Sequence, residues 1–283
     1  MSLPLLLEPE QLLPALDDGQ LLVIDTSSEQ NYLKAHIPGA IYLAPGRLQC
    51  GVKPATGKLP DKTTLEHIFA GIGLHPQRHV VAVDDEGGGW AGRLIWTLDC
   101  IGHQRYSLLN GGMSAWSREG YPMVQDIPQP APKSVAITAI ERAGIASLDD
   151  VLAAIDDPRQ AIWDARSPEE YNGSKVLAQR AGHIPGAINL EWTDLMDPAR
   201  NLRLLPLPHI QAMLDQRGLG RDQAIITHCQ SHHRSGLTYV VAKLLGYPEV
   251  RAYDGSWSEW GNREDTPIER NIPGGDTAEG HSA

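Results

Sequence analysis

Residues 224–246 read AIITHCQSHHRSGLTYVVAKLLG, and their pattern predicts the class of fold. The first four residues are an apolar run of strand length, and a polar loop follows them. Gly246 then ends an apolar pattern that has the spacing of a helix face. The members of that pattern are Leu237, Val240, Val241 and Leu244. The stretch therefore predicts a strand, a loop and a helix, the repeating unit of an α/β sheet.

The first half of the chain contains a counterpart of this unit. Residues 80–83 (VVAV) form its apolar run, and residues 84–90 (DDEGGGW) form its loop. A helical pattern follows, with apolar positions at Leu94, Ile95, Leu98 and Ile101. Strands that alternate with helices in this way predict a parallel sheet covered by helices on both faces.

Other segments repeat in the same order along the chain. The hexapeptide HIPGAI occurs at residues 36–41 and again at residues 183–188. Before it, Asp25, Ser28 and Tyr32 return at identical spacing as Asp164, Ser167 and Tyr171. After it, Gly102, Gly111 and Trp116 correspond at one constant offset to Gly246, Gly255 and Trp260. Ordered repeats of this kind predict two copies of one domain.

The predicted division follows composition. Residues 1–126 form the first domain and residues 143–270 the second, joined by a linker over residues 127–142 that begins with the proline-rich sequence IPQPAP. The tail, residues 271–283, is nearly devoid of apolar residues and is predicted to be disordered.

Composition excludes several classes of partner and compartment. The 283 residues include 35 acidic and 24 basic side chains, a net charge of −11, which disfavours nucleic acid and anionic membranes. Three scattered cysteines give no disulfide framework. The sequence has neither the pattern of a secretory leader nor an apolar run long enough for a membrane span. We expect a cytoplasmic protein.

Cys229 is the candidate nucleophile. It lies beyond the carboxyl end of a predicted strand and before a helix, where ligands bind in open α/β sheets. Backbone N–H groups and the helix dipole favour a thiolate there, and Arg234 adds positive charge. By contrast, Cys100 falls within a helical pattern and is expected in the core, and Cys50 is expected to be an ordinary loop thiol.

Two other chemistries compete for the same loop. His228, Cys229, His232 and His233 include the ligand types of zinc, although one tight turn would struggle to wrap all four around an ion. Cysteine-dependent phosphatases also place Cys and Arg at the ends of an anion-binding loop, but their loop is one residue longer than the four residues between Cys229 and Arg234. The shorter loop favours a single sulfur atom over a phosphoryl group.

The two halves differ at this loop. At the offset given by the glycine and tryptophan landmarks, Cys229 corresponds to Asp85. The first-half loop has three carboxylates and no thiol, so it should repel an anionic substrate. We expect the first domain to be catalytically inactive and to close the cleft of its partner.

These motifs resemble the tandem-domain rhodaneses, the thiosulfate:cyanide sulfurtransferases. The resemblance extends from about Leu5 to Glu269 and rests on the two HIPGA segments, the Cys-x4-Arg loop and residues 255–260 (GSWSEW). The loop, CQSHHRS, is similar to that of a bacterial subgroup with Cys-Gln-x-His-His-Arg. The fold that this implies is α/β, with two rhodanese-like domains, each a mainly parallel sheet flanked by helices.

The resemblance also implies a function and a set of site residues. Cys229 would take the outer sulfur of thiosulfate as a persulfide and pass it to cyanide or a thiol in a ping-pong reaction, with no metal or organic cofactor. A protein acceptor is left open, and so is a carrier that only holds the sulfur. Residues implied to contact the donor are Gln230, Ser231, His232, His233, Arg234 and Trp192.

One departure concerns the donor. Where vertebrate members have a substrate-binding arginine beside the aromatic matched by Tyr171, this chain has Glu170, and Arg180 is a candidate replacement. The remaining matched polar residues are interpreted as scaffold: Asp164, Arg166, His183 and His228, with Asp25 and His36 as repeat partners.

Overall fold

The computed structural model describes residues 3–130 and 135–270. In the first half, the elements are β1 (Leu6–Leu7), α1 (Pro9–Leu12), β2 (Leu21–Asp25), α2 (Glu29–Lys34), β3 (Ile41–Tyr42), α3 (Lys62–Gly71), β4 (His79–Val83), α4 (Gly89–Cys100), β5 (Tyr106–Leu109) and α5 (Gly112–Arg118). Short 3-10 turns occupy Leu13–Ala15 and Pro45–Leu48.

The second half follows the same plan with additional short strands. Its elements are α6 (Leu148–Ala154), β6 (Gln160–Asp164), α7 (Pro168–Asn172), β7 (Ile188–Asn189), β8 (Met196–Asp197), β9 (Arg203–Leu204), α8 (Leu207–Asp215), β10 (Ala224–His228), α9 (Arg234–Leu244), β11 (Val250–Ala252) and α10 (Ser256–Trp260). The 3-10 turns lie at Trp192–Leu195 and Pro198–Arg200.

Each half is built on a parallel sheet. The first has the strand order β1-β5-β4-β2-β3, and the second has the order β11-β10-β6-β7. Strands β8 and β9 form a separate antiparallel pair. Along β4, Val80 and Ala82 join one apolar cluster with α3 and α4, whereas Val81 and Val83 join another with Trp116 of α5. Helices therefore cover both faces, and the predicted fold class is confirmed.

Helices α4 and α9 join the two halves. A Cβ atom added at Gly92 would lie 2.3 Å from the carbonyl carbon of Gly236, so the two backbones meet where neither residue has a side chain. Trp96 and Leu237 belong to one apolar cluster that includes residues of both sheets. The halves thus share a continuous core.

The pairing of strands in the two sheets shows which residue of the first half corresponds to Cys229, and it differs from the prediction. Asp25 pairs with Val83 across β2 and β4, and Asp164 pairs with His228 across β6 and β10. The residue after each strand is therefore the matching one, so Cys229 corresponds to Asp84, and the predicted match with Asp85 is wrong. Gly92 lies eight residues after Asp84, whereas Gly236, which faces it where the helices cross, lies seven residues after Cys229. The first-half loop therefore has one extra residue, which shifts every later landmark.

The linker and the tail were also predicted from composition. The described parts of residues 127–142 contain no helix or strand, and Ile137 packs against the core of both halves. Residues 131–134 and the predicted disordered tail lie outside the described residues. The domain boundaries stay predictions. Among the residues that the structure describes, no helix is long and apolar enough to cross a membrane.

Candidate active site

Cys229 directly follows β10, and α9 begins five residues later at Arg234, as the sequence predicts. Its backbone N–H donates to Ser256 Oγ at 3.3 Å, and Trp257 donates its N–H to the Cys229 carbonyl at 3.0 Å. Ser256 itself adopts a positive φ of 50°. The start of α10 therefore holds the backbone of Cys229 in place through these two hydrogen bonds.

The environment of Cys229 is buried but polar. The side chain has 0% exposure, and burial raises its pKa. The charge of Arg234 and hydrogen bonds from Ser235 outweigh burial, so the pKa of Cys229 is lowered overall. Cys100 has the same exposure in α4, yet its pKa is strongly raised because burial dominates there. The two buried thiols therefore differ in reactivity for a physical reason.

The corresponding loop of the first half, after β4, binds the carboxylate of Asp84 with its backbone N–H groups. Oδ1 of Asp84 accepts hydrogen bonds from the backbone N–H groups of Glu86, Gly87 and Gly88 at 3.2, 3.1 and 2.8 Å. Its Oδ2 accepts from Ala91 N–H at 3.0 Å. Burial raises the pKa of Asp84 to about 6, so the group is a carboxylate at neutral pH. In the half whose loop has no thiol, a carboxylate thus accepts the hydrogen bonds of the loop's backbone N–H groups.

The other two acidic side chains of that loop point elsewhere. Asp85 accepts hydrogen bonds from the backbone N–H and hydroxyl of Ser28, and Glu86 contacts His233 of the second half. Each of the three carboxylates thus has contacts of its own, and the expectation that this loop repels an anionic substrate stays a prediction.

Arg234 is paired with Glu170. Its Nη1 and Nη2 donate to the two carboxylate oxygens at 2.6 and 2.8 Å. Glu170, the residue that departs from the family pattern, thus pairs with the guanidinium of Arg234, which the resemblance implies as a donor contact. Arg180 does not take the role of the substrate-binding arginine found in vertebrate members. Its guanidinium donates instead to the carbonyls of Thr266 and Trp260, at 2.8 and 3.0 Å.

His233 lies on the exposed side of the loop among residues of both halves. Its imidazole contacts Glu86 and stacks on Trp90, with ring centres 4.3 Å apart. Trp192 lies 5.8 Å from the same imidazole and is half-buried. These side chains form an aromatic rim beside the loop, which is where a donor contact was predicted for His233 and Trp192.

His232 points the other way. The residue has a positive φ of 50° and 0% exposure, and its Nδ1 contacts Ser235 Oγ at 2.7 Å. Its ring lies nearly perpendicular to that of Trp96, with ring centres 4.5 Å apart. Burial, together with nearby Arg93, lowers its pKa well below the usual value, so the ring is neutral. His232 therefore offers no positive charge to a donor, and its implied contact with the donor stays a prediction.

Gln230 and Ser231 are held by contacts on the outside of the loop. The Gln230 side chain donates to the Leu177 carbonyl at 3.2 Å, and the Ser231 carbonyl accepts from Gln49 Nε2 at 2.7 Å. A Cβ atom at Gly57 would lie 2.2 Å from the Ser231 oxygen. The first half thus contacts the Cys229 loop through the segment that contains Gln49 and Gly57, which was not identified from the sequence.

The donors of the possible zinc site diverge. His232 faces Ser235, and His233 faces Glu86. His228 Nδ1 lies 3.2 Å from the Cys229 carbonyl, and its Nε2 lies 3.6 Å from Asp164. Within residues 3–130 and 135–270, no group of three His, Cys, Asp or Glu side chains is arranged to hold a metal.

Comparison with known proteins gives the family. The Rhodanese-like domain model matches residues 8–119 and 147–263. A thiosulfate sulfurtransferase of Azotobacter vinelandii is 50% identical over 268 residues, covering 95% of this chain and 98% of that protein. One of Pseudomonas aeruginosa is 49% identical over 270 residues, with the same coverage.

A solved structure agrees with the fold. An anaerobic ergothioneine biosynthesis enzyme from Chlorobium limicola superimposes with a TM-score of 0.80 at 21% identity, covering 95% of this chain and 71% of that one. The resemblance stated from the motifs is thus confirmed, whereas the subgroup defined by the loop stays a prediction. With two matching regions that span most of its length, the chain belongs to the rhodanese-like domain family.

Proposed function

We propose that the chain is a thiosulfate sulfurtransferase in which Cys229 carries the transferred sulfur. The observation that carries the proposal is the position of the buried Cys229 thiol between β10 and α9, in a loop whose counterpart holds a carboxylate on four backbone N–H groups. The relatives at 49–50% identity are named for this activity.

The reaction divides into two displacements. The Cys229 thiolate attacks the outer sulfur of thiosulfate, an S–S bond forms to the protein, and the S–S bond of the donor breaks to release sulfite. The persulfide then gives its outer sulfur to cyanide, leaving thiocyanate and the original thiolate. A thiol acceptor would leave as a persulfide instead. Neither displacement needs a metal or an organic cofactor.

The loop supplies the electrostatics of both steps. By analogy with Asp84, the amides from Gln230 to Arg234 would surround the persulfide sulfur and spread its negative charge. The donor sulfonate would meet His233 and Trp192 at the rim, where Gln230 and Ser231 shape the edge. Because Cys229 has 0% exposure, these side chains must shift for the donor to enter.

The first half is proposed to be catalytically silent. Asp84 stands where Cys229 stands in the second half, and a carboxylate cannot accept sulfur as a persulfide. We therefore assign residues 1–126 a supporting role and residues 143–270 the catalysis. Three free cysteines suit a reducing compartment, and we propose the cytoplasm.

Intact-protein mass spectrometry tests the proposal. Thiosulfate should add the mass of one sulfur atom, cyanide should remove it with formation of thiocyanate, and Cys229→Ser should abolish both. Cys50→Ser, which alters the half-buried loop thiol, is the matched control and should behave as the wild type. An adduct that persists in Cys229→Ser would contradict the assignment. An adduct that cyanide cannot discharge would favour the carrier, and hydrolysis of an aryl phosphate without any adduct would favour the phosphatase.

A further inference from the structure

A buried guanidinium fills one end of the second sheet. Arg166 Nη2 donates to Asp164 Oδ2 at 2.6 Å and to the Gly182 carbonyl at 2.9 Å. Its central carbon lies 4.3 Å from the ring centre of Trp257. Burial raises the pKa of Asp164, but the paired cation outweighs burial and brings it to about 2. A carboxylate, a carbonyl and an apolar side chain thus enclose this cation.

The first half has a residue at each position of this enclosure but lacks the cation. Asp25 matches Asp164 by strand register, and Ala35 matches Gly182 because each precedes an HIPGA segment. Met113 matches Trp257, since each donates its N–H to the carbonyl of the residue after the central strand, at 2.8 and 3.0 Å. Arg166, two residues after its aspartate, is matched by Ser27.

A cleft of about 310 Å³ lies at this place, lined by Asp25, Ser27, Ala35 and Met113. Asp25 and Ser27 are each only 1% exposed. In the described part of the chain, Asp25 Oδ2 and Ser27 Oγ have no hydrogen-bond partner. Asp25 Oδ1 accepts the Ser27 N–H at 2.8 Å. Burial raises the pKa of Asp25, as expected for a buried carboxylate without a cation.

The side chains farther out in the cleft add further charge. Lys34 and Arg118 are exposed lining residues, and Asp85 lines the cleft from the loop after β4. A ligand that reaches Asp25 with a cation can therefore place a carboxylate near the two basic side chains.

We propose that this cleft in the first half binds a small molecule with a terminal guanidinium and a carboxylate, and that its guanidinium takes the place that Arg166 occupies in the second half. The guanidinium would pair with Asp25, donate to the Ala35 carbonyl and lie against Met113. This binding site is separate from Cys229 and does not depend on the proposed sulfur transfer.

Isothermal titration calorimetry with L-arginine tests the proposal. L-citrulline replaces the guanidinium with an uncharged urea and should give no measurable heat. Agmatine keeps the guanidinium without the carboxylate and should bind roughly two- to fivefold more weakly, since exposed ion pairs contribute little. Ser27→Arg should fill the cleft with its own guanidinium, abolish arginine binding and leave the sulfur-transfer rate unchanged.

Asp25→Asn should also lose arginine binding, and Asp18→Asn, at an exposed aspartate outside the cleft, is the matched control. Circular dichroism would verify that each variant is folded. Equal binding of citrulline, or unchanged arginine binding in folded Ser27→Arg, would overturn the proposal. Absence of arginine binding to the wild-type protein would overturn it as well.

Discussion

Glu170 and Arg234 form a two-point ion pair beside the Cys229 loop, with N–O distances of 2.6 and 2.8 Å. Burial raises the pKa of Glu170, but the hydrogen bonds from Arg234 outweigh it and keep the carboxylate ionised. The guanidinium therefore lowers the pKa of Cys229 while its own charge is largely balanced. An anionic donor that approaches the loop therefore gains little electrostatic attraction from Arg234, because Glu170 balances its charge.

Replacing the glutamate should strengthen donor binding. In Glu170→Gln, Arg234 keeps a hydrogen-bond acceptor but loses the opposing charge, so the KM for thiosulfate should fall roughly fivefold, equivalent to about 1 kcal/mol. Steady-state kinetics with thiosulfate and cyanide measure this. Glu169→Gln, at the exposed neighbouring position, should leave the KM unchanged. A higher KM in Glu170→Gln would show that Glu170 serves chiefly to position Arg234.

The pH dependence of Cys229 provides a second prediction. Because the pKa of the thiol is lowered from 9.0, reactivity should rise with pH through a midpoint below that value. The double variant Arg234→Met with Glu170→Gln removes the cation without leaving a buried carboxylate unpaired, so the midpoint should move upward. Ultraviolet absorbance of the thiolate, recorded against pH, measures both. A midpoint that does not move would mean that Ser235 and His233, rather than Arg234, lower the pKa of Cys229.

Two adjacent histidines should differ in effect. His233→Gln should raise the KM for thiosulfate about fivefold, because the side chain lies on the rim. His232→Gln should leave the KM within about twofold but cost roughly 1–3 kcal/mol of unfolding free energy, since the buried ring bonds to Ser235. Kinetics and urea unfolding of both variants give the comparison. The reverse pattern would place His232 at the donor.

The contact between the helices can be tested with glycine substitutions. Gly92→Ala should destabilise the protein by roughly 1–3 kcal/mol, because the added Cβ would lie 2.3 Å from the backbone of Gly236. Gly71→Ala, at the end of α3, meets nothing within 4 Å and should be neutral or stabilising by up to about 1 kcal/mol. Thermal and urea unfolding measure both changes. Equal stability of the two variants would show that α4 and α9 move apart without cost.

Features encoded by local pattern could be predicted from the sequence. The apolar run before Thr227 gave strand β10, and the spacing of Leu237 and Val240 gave helix α9, which ends before Gly246. The position of Cys229 between them followed directly. The match with Asp84 could not be seen, because the loop after Asp84 is one residue longer than the loop after Cys229, and the extra residue shifts the later landmarks without altering their apolar pattern.

Features that depend on packing between the halves could not be predicted. Which way His232 points is set by its positive φ and by Trp96 of the other half. Glu86 and Trp90 reach His233 only because α4 and α9 cross at two glycines. Nothing in the spacing of residues 84–90 shows that this loop faces the active loop of the other domain.

The crossing of α4 and α9 also bears on why the two copies share a single chain. Each copy presents an equivalent helix and a glycine to the other, which is the geometry of an isologous dimer. In a true homodimer, any change on one side of the axis appears on both, so an acidic loop and a thiol loop could not face each other. In a single chain the two copies can differ in sequence. One copy can then hold the Cys229 loop of the other in place without being reactive itself.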